Sequence, residues 1–391
     1  MTPVAPDYAA LRHIGWPWPA APVAAGDGDG DGDGDGDEAA WAEVMAAHPQ
    51  ARPARVTEQH RSGYVVADAP EAALRAESPP EWQRPPGFRR DRAAAHERAA
   101  VGDWVLLEGR RIVALLPRRS SIKRAAAGEH YHQQVIAANI DTVFVASGLD
   151  EDFNPRRIER YLLLVGSGGA APVVVLTKAD KRDDAQAQAA ALADIAPGVP
   201  VFALDAHDRI AVQAALGRWL GPGCTAVLVG SSGAGKSTLT NTLLGVEKMR
   251  TGEVRESDSR GRHTTTHRAL IALPSGACLI DTPGMRELKP TGEETLAEGG
   301  FADIEALTTQ CRFRDCRHEA EPGCAVRAAI AAGTLDEGRF RNYLKLRDEV
   351  AGAAGRLAER QAQKLAEARV LGKTVRRGPP GGPGGRAGLH G

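Results

Sequence analysis

Gly230-Ser231-Ser232-Gly233-Ala234-Gly235-Lys236-Ser237 matches every fixed position of the phosphate-binding loop G-x-x-x-x-G-K-[ST]. The apolar run Ala226-Val227-Leu228-Val229 before it predicts a buried parallel strand, and residues 237–244 after it predict a helix. Glycines at these positions let backbone N–H groups turn inward around phosphates, while the following helix presents its positive end to them. Lys236 adds a point charge near the β and γ groups, and the Ser237 hydroxyl is placed to hold Mg²⁺. The loop announces a nucleoside triphosphate without specifying its base.

The base is argued from Thr177-Lys178-Ala179-Asp180, which follows the apolar run Pro172-Val173-Val174-Val175-Leu176. It therefore sits at the carboxyl end of a predicted strand, where open α/β sheets bind ligands. Asp180 discriminates, because a carboxylate only accepts hydrogen bonds and guanine offers two adjacent donors at N1 and N2 where adenine offers none. Lys178 can lay its stem over the ring. A phosphate loop also serves small-molecule kinases and ATPases, which would be indifferent to Asp180.

A third element, Asp281-Thr282-Pro283-Gly284, ends the apolar stretch Ala277-Cys278-Leu279-Ile280. Asp281 can reach the metal shell and the Gly284 amide can meet a γ-phosphate. Between loop and turn lies Gly261-Arg262-His263-Thr264-Thr265-Thr266, a polar run with one hydroxyl, assigned to Thr265, placed to complete the Mg²⁺ shell. The order of these parts is unusual. In ordinary GTPases the base-reading motif follows the phosphate loop, whereas here residues 177–180 precede residues 230–237, so the domain reads as circularly permuted. Assembly of the site from loops at one sheet edge tolerates such a cut.

Cys311-x₄-Cys316-x-His318-x₅-Cys324 offers three thiolates and one imidazole, enough to close a tetrahedral Zn²⁺ shell with no position left for substrate, so the zinc is expected to be structural, one per chain. Cys224 and Cys278, each beside a predicted strand, read as small buried hydrophobes.

In this order, the motifs resemble those of the ribosome small-subunit-dependent GTPase A family, over roughly residues 54–350. Val101-Gly102-Asp103-Trp104-Val105, Ala138-Asn139-Ile140-Asp141, Thr177 to Asp180, Gly230 to Thr238, Gly261 to Thr266, Asp281 to Gly284 and Cys311 to Cys324 carry the resemblance. It implies GTP and GDP as ligands, Mg²⁺ with GTP, a nucleotide site that includes Thr238, and the small (30S) ribosomal subunit with its 16S rRNA as partner. The implied activity is GTP hydrolysis that assists late subunit maturation, slow alone and stimulated by the subunit. One departure is Asp205-Ala206, where the family tends to carry a Ser pair or Ser-Ala in the weaker guanine-supporting loop.

Together these readings predict a multidomain α/β chain. An acidic, disordered N-terminal extension is expected over 1–53 and a small β-barrel over 54–128, which the family resemblance makes an OB-type fold. A circularly permuted P-loop GTPase domain, a mostly parallel sheet with helices on both faces, is expected over 129–300. A zinc-binding helical domain follows over 301–371, and a flexible basic Gly/Pro-rich tail over 372–391. Arg118, Arg119, Lys123 and Arg124 are candidates for a phosphate-facing rim of the barrel, the alternative being a charged surface loop. The repeat from Gly26-Asp27 to Gly36-Asp37 self-repels and has nothing apolar to bury; Ca²⁺ binding is disfavoured because no 12-residue loop ends in a bidentate Glu.

The net charge of −1 hides an asymmetry: residues 1–53 carry nine acidic against two basic groups, and residues 311–391 sixteen basic against nine acidic. A positive C-terminal fifth suits a polyanion, RNA by the resemblance, the alternative being a solvated helix face. No apolar run approaches the roughly 18 residues of a membrane span and no basic region followed by an apolar one opens the chain, so a cytoplasmic protein with no membrane contact is expected; nothing requires more than a monomer.

Many GTPases orient the attacking water with a Gln directly after the Asp-x-x-Gly turn, but Met285 stands there and makes no useful hydrogen bond. Slow intrinsic hydrolysis follows, with His263 swinging in to orient water when a partner orders its loop. The alternatives are that His263 merely caps a loop, and that the chain is a non-catalytic RNA-binding scaffold with GTP as a structural ligand.

Overall fold

A computed structural model describes residues 5–24, 35–60, 63–83, 98–125, 133–151, 153–246, 268–281 and 289–376. The chain opens with helices α1 (Tyr8–Arg12) and α2 (Asp35–Ala47), followed by strands β1 (Arg52–His60), β2 (Gly63–Ala67) and β3 (Ala73–Ala76), a short helix α3 (Pro80–Gln83), and strands β4 (Trp104–Glu108) and β5 (Arg111–Leu115). β1 pairs antiparallel with both β2 and β4, β2 with β3, and β4 with β5, while a parallel bridge from Glu77 to Arg111 joins the β3 end to β5. The five strands therefore form a ring in the order β1-β2-β3-β5-β4, filled by Ala54, Val56, Val66, Val105, Leu107 and Ile112.

Residues 5–24 and 35–53 correct the expectation of a disordered extension. Trp16 and Trp41 have no exposed surface, and with Leu11, Ile14 and Trp104 they build a separate core. The Trp16 ring centroid lies 5.2 Å from that of Trp41 and 4.8 Å from that of Trp104, both edge-on, an arrangement that favours the ring quadrupoles. The Trp41 indole N–H donates to the Pro117 carbonyl at 2.7 Å. The acidic repeat hid this, because its charge dominates the composition while a few aromatic residues on either side supply the burial. Residues 26–34 of the repeat lie outside the described residues.

β6 (Ser121–Ala125) and β7 (Gln133–Ala138) form an antiparallel ribbon leading into the second unit. There β8 (Thr142–Gly148), α4 (Pro155–Gly166), β9 (Ala171–Thr177), α5 (Ala185–Ile195), β10 (Val201–Ala203), α6 (Arg209–Leu216), β11 (Thr225–Val229), α7 (Lys236–Leu244), β12 (Ala269–Ala272) and β13 (Cys278–Asp281) follow in turn. The sheet order is β10-β9-β8-β11-β13-β12, parallel throughout except for the β12–β13 pair. Because side chains alternate along a strand, Val143, Val145, Val174, Leu176, Val227 and Val229 face α4 and α5, whereas Phe144, Val173, Val175, Ala226 and Leu228 face α6 and α7. Near-continuous apolar runs are what a parallel sheet covered on both faces requires. A contact of β1 with β12, Glu58 opposite Ala269, makes the ring and this sheet one mixed sheet.

Arg55 locks that junction. It is completely buried in β1 and donates to the carbonyls of Ile14 (2.7 Å), Gly102 (3.1 Å) and Asn139 (2.9 Å) and to the Thr225 hydroxyl (2.7 Å). Burial pulls its pKa below the ordinary guanidinium value, with Cys278, Asp141 and Asp103 opposing.

The last segment holds α8 (Ala302–Thr309), α9 (Ala325–Ala331) and the long α10 (Glu337–Arg376). Its core, Phe301, Ile304, Val326, Leu335, Phe340, Tyr343 and Leu346, reaches across to Leu163 of α4.

Candidate functional site

The phosphate loop follows β11 and the Thr177–Asp180 turn follows β9; both strands are parallel to the β8 between them, so the two segments leave the same edge of the sheet. They touch. The Thr177 hydroxyl donates to the Ala234 carbonyl at 3.0 Å, with Thr177 fully buried. Gly235 has φ +76°, and a Cβ there would lie 2.9 Å from the Thr177 hydroxyl oxygen, so a side chain could not be added without parting the two loops. Gly230 has φ +144° and would place a Cβ 2.1 Å from the Ala146 carbonyl oxygen. The Lys236 ammonium donates to the Gly230 carbonyl at 2.8 Å and to that of Ser231, which sets its charge inside the curve of the loop. Ser232 and Gly233 are exposed, while Ser237 and Thr238, in the first turn of α7, are half-buried.

On the base side, Lys178 has φ +60° and its ammonium is paired with the Asp150 carboxylate; Ala179 and Asp180 begin a 3₁₀ turn, with Asp180 exposed. The Ala179 amide donates to the Leu204 carbonyl at 3.3 Å, which joins this turn to the loop after β10. In that loop Ala206 is buried, and the Asp205 carboxylate accepts from the His207 amide at 2.9 Å, a local turn contact. Asp281 is half-buried at the end of β13, on the strand next to the one that feeds the phosphate loop. Gly284, Met285, His263 and Thr265 lie outside the described residues. Asp150 is a neighbour of the site that sequence reasoning missed; nothing in the local pattern signals it, because its pairing with Lys178 depends on strand order.

Each cation offered for a phosphate-facing rim has a protein partner. The Arg118 guanidinium is spent on the buried Asp103, at 2.8 Å and 2.7 Å, and Asp103 also accepts from the Ala100 amide at 2.7 Å. Arg119 lies 3.5 Å from Asp141 and 3.7 Å from Asp37, Lys123 is 2.8 Å from Glu293, and Arg124 donates to Gln134 at 3.2 Å.

The metal-binding candidates do converge. Ligand atoms of Cys311, Cys316, His318 and Cys324 all lie within 4.8 Å of one another. His318 Nδ1 is 3.5 Å from both Cys311 Sγ and Cys324 Sγ, and those sulfurs are 3.9 Å apart. A tetrahedral Zn²⁺ with bonds of about 2.3 Å to sulfur and about 2.0 Å to nitrogen spaces its ligands by roughly 3.5–3.8 Å. The donor set fits. His318 adopts φ +63° to turn its ring inward, burial lowers its pKa and favours the neutral imidazole a metal needs, and its ring meets that of Phe340 edge-on at 5.7 Å.

Comparison with known proteins then decides the family. A family profile described as RsgA GTPase matches residues 115–291. A protein of Xanthomonas oryzae pv. oryzae (strain PXO99A) named small ribosomal subunit biogenesis GTPase RsgA is 70% identical over 364 residues, which cover 93% of this chain and 94% of the relative. This chain belongs to the RsgA GTPase family. A relative of the same name from Xanthomonas euvesicatoria pv. vesicatoria (strain 85-10) is 68% identical over the same shares. The chain is thus a GTP-binding GTPase. A second profile, described as ABC transporter, matches residues 219–369, a span that starts just before the phosphate loop that both kinds of protein use. Among solved structures, YjeQ from Thermotoga maritima superposes with a TM-score of 0.53 at 23% identity, covering 77% of this chain and 99% of that one. YloQ, described as a circularly permuted GTPase, superposes with a TM-score of 0.51 at 23% identity, covering 78% and 96%. The permuted fold read from motif order is the fold of these two structures. Among the described residues, no helix is long and apolar enough to cross a membrane.

Proposed function

We propose that the chain binds GTP across the junction of residues 177–180 and 230–238, binds the small ribosomal subunit through 16S rRNA, and assists late maturation of that subunit in the cytoplasm as a monomer. Hydrolysis is slow alone and is stimulated by the subunit. The Thr177–Ala234 hydrogen bond supports this reading most directly, since it brings a guanine-reading turn and a phosphate cradle to one sheet edge. The names of the Xanthomonas relatives supply the ribosomal context.

Backbone amides of residues 230–235 and Lys236 take the phosphates, and Asp180 accepts from guanine N1 and N2. Ser237 and Thr265 would hold Mg²⁺, with Asp281 supporting its shell; the ion supplies charge neutralisation at the phosphates. Gly284 meets the γ-phosphate and His263 orients water. Cys311, Cys316, His318 and Cys324 hold one structural Zn²⁺. The strand ring β1-β2-β3-β5-β4 supports reading residues 54–128 as an OB-type barrel, an architecture suited to nucleic acid. The domain limits proposed are those read from sequence from residue 54 onward.

Multiple-turnover phosphate release, measured with and without purified small subunits, tests the proposal. Release that the subunits accelerate at least about tenfold is expected, a loss of about 1.4 kcal/mol in the barrier. An equal rate with and without subunits would end the stimulated-GTPase reading. Turnover retained by His263→Ala, with unchanged nucleotide affinity, would remove that residue from the mechanism.

A further inference from the structure

Lys178 is one of four described non-glycine residues with positive φ, and it sits on the base-reading turn. A lysine gains nothing intrinsic from the left-handed region, so the surrounding contacts must hold it there. Three contacts tie this turn to the exit of β8. Gly148 stands opposite Thr177 in the parallel ladder, the Leu149 amide donates to the Thr177 carbonyl at 2.9 Å, and the Asp150 carboxylate takes the Lys178 ammonium. A Cβ on Gly148 would come within 3.2 Å of both Asp150 carboxylate oxygens, so the glycine leaves room for that carboxylate. Leu149 is fully buried and anchors the backbone on which Asp150 is presented. Side-chain exposures of 27% for Lys178 and 31% for Asp150 leave the pair partly open to solvent.

We infer that Asp150 is a positioning residue for guanine recognition, resting on the reading of residues 177–180 as the base site. By fixing the ammonium end, it stretches the four-carbon stem of Lys178 in one direction, and a stem held extended covers a purine face without losing rotamer freedom on binding. Asp180 then reads the edge of the ring and Lys178 its face. The interaction serves GTP and GDP alike, because both carry the same base. Loss of Asp150 therefore weakens both nucleotides equally and falls on KM, not on kcat.

The test is a double-mutant cycle in the full-length protein with Asp150→Asn and Lys178→Met, reading dissociation constants for GDP and a non-hydrolysable GTP analogue by fluorescent-nucleotide titration. Asp150→Asn is expected to weaken both by about three- to fivefold, the range of a half-exposed ion pair. In the Lys178→Met background, which keeps an apolar stem without the charge, the same change should add nothing. Additive losses, or an unaltered affinity in Asp150→Asn, would overturn the assignment. Asp180→Asn separates the two layers: if it fails to relax the preference for GTP over xanthosine triphosphate, the base-site reading itself is wrong, whatever Asp150 does.

Discussion

The Arg339 guanidinium of α10 faces the Glu159 carboxylate of α4 at 3.7 Å, with side chains only 4% and 5% exposed. Arg339 also donates to Asp303 at 2.6 Å and 2.9 Å and to the Gly300 carbonyl at 2.7 Å, and its charge lies over the Phe301 ring. One cation thus binds the segment that carries the Cys/His cluster to a helix of the nucleotide sheet. Removing it leaves Glu159 buried with less compensation, which in such pairs costs about 3–5 kcal/mol. Arg339→Met should lower the urea midpoint accordingly and expose α10 to protease first. An unshifted midpoint would show that the pair contributes nothing net.

Stability should also depend on Glu159 protonation. Burial raises its pKa above the ordinary 4.5, and the Asn342 hydrogen bond and the charges of Arg156 and Arg339 offset this only in part. A carboxyl with a raised folded pKa keeps its proton after the unfolded chain has lost it. Stability therefore falls as pH rises from about the ordinary value through the raised one, and the contribution is present in full only below that window. Glu159→Gln should flatten the urea-midpoint profile there; an unchanged slope would assign the dependence to another group.

Local chemistry was legible and long-range pairing was not. Gly230, Gly235 and Lys236 announce their roles because backbone geometry and charge act within eight residues of chain, and motif order alone exposed the permutation. Cys311 to Cys324 were legible for the same reason, all four donors lying within fourteen positions. Arg118 misled because its partner Asp103 is fifteen residues away across a hairpin, and a basic run looks the same whether its charges are free or spent. Arg55 gave no signal at all: a lone arginine in a strand becomes a hub only once four separate segments fold around it.

The aromatic core at the amino end makes a further expectation. Trp16 is entirely buried against Tyr8, Trp18, Trp41 and Trp104, so Trp16→Ala removes one of the largest side chains in the protein and leaves a cavity. A loss of about 3–5 kcal/mol is expected. Chemical denaturation followed by tryptophan fluorescence measures it, and a loss below about 1 kcal/mol would mean that the segment folds onto the strand ring without supporting it.

Zinc removal should act locally. Cys311, Cys316 and Cys324 belong to the same packed cluster as Phe340 and Tyr343, and Cys324 caps α9 by accepting from the Arg327 amide at 3.4 Å. Cys316→Ser is expected to abolish one equivalent of bound zinc by elemental analysis and to reduce helicity, while GTP affinity stays within about twofold because the nucleotide rim lies on another unit. Full metal content in that variant would contradict the four-donor site.

The Thr177 hydroxyl is the direct polar link between the two halves of the nucleotide site, and an isosteric change isolates it. Thr177→Val keeps the volume at a fully buried position but leaves the Ala234 carbonyl without its donor, a penalty of about 1–3 kcal/mol. Part of that penalty is relieved if the phosphate loop shifts away from the β9 end, which would spoil the spacing between base and phosphates. GTP and GDP should both bind at least about fivefold more weakly, since roughly 1 kcal/mol corresponds to that factor. Thr177→Ser, which restores the hydroxyl at the cost of a methyl group, should recover most of the affinity. Equal affinities for the valine and serine variants would mean that strand pairing alone aligns the two loops.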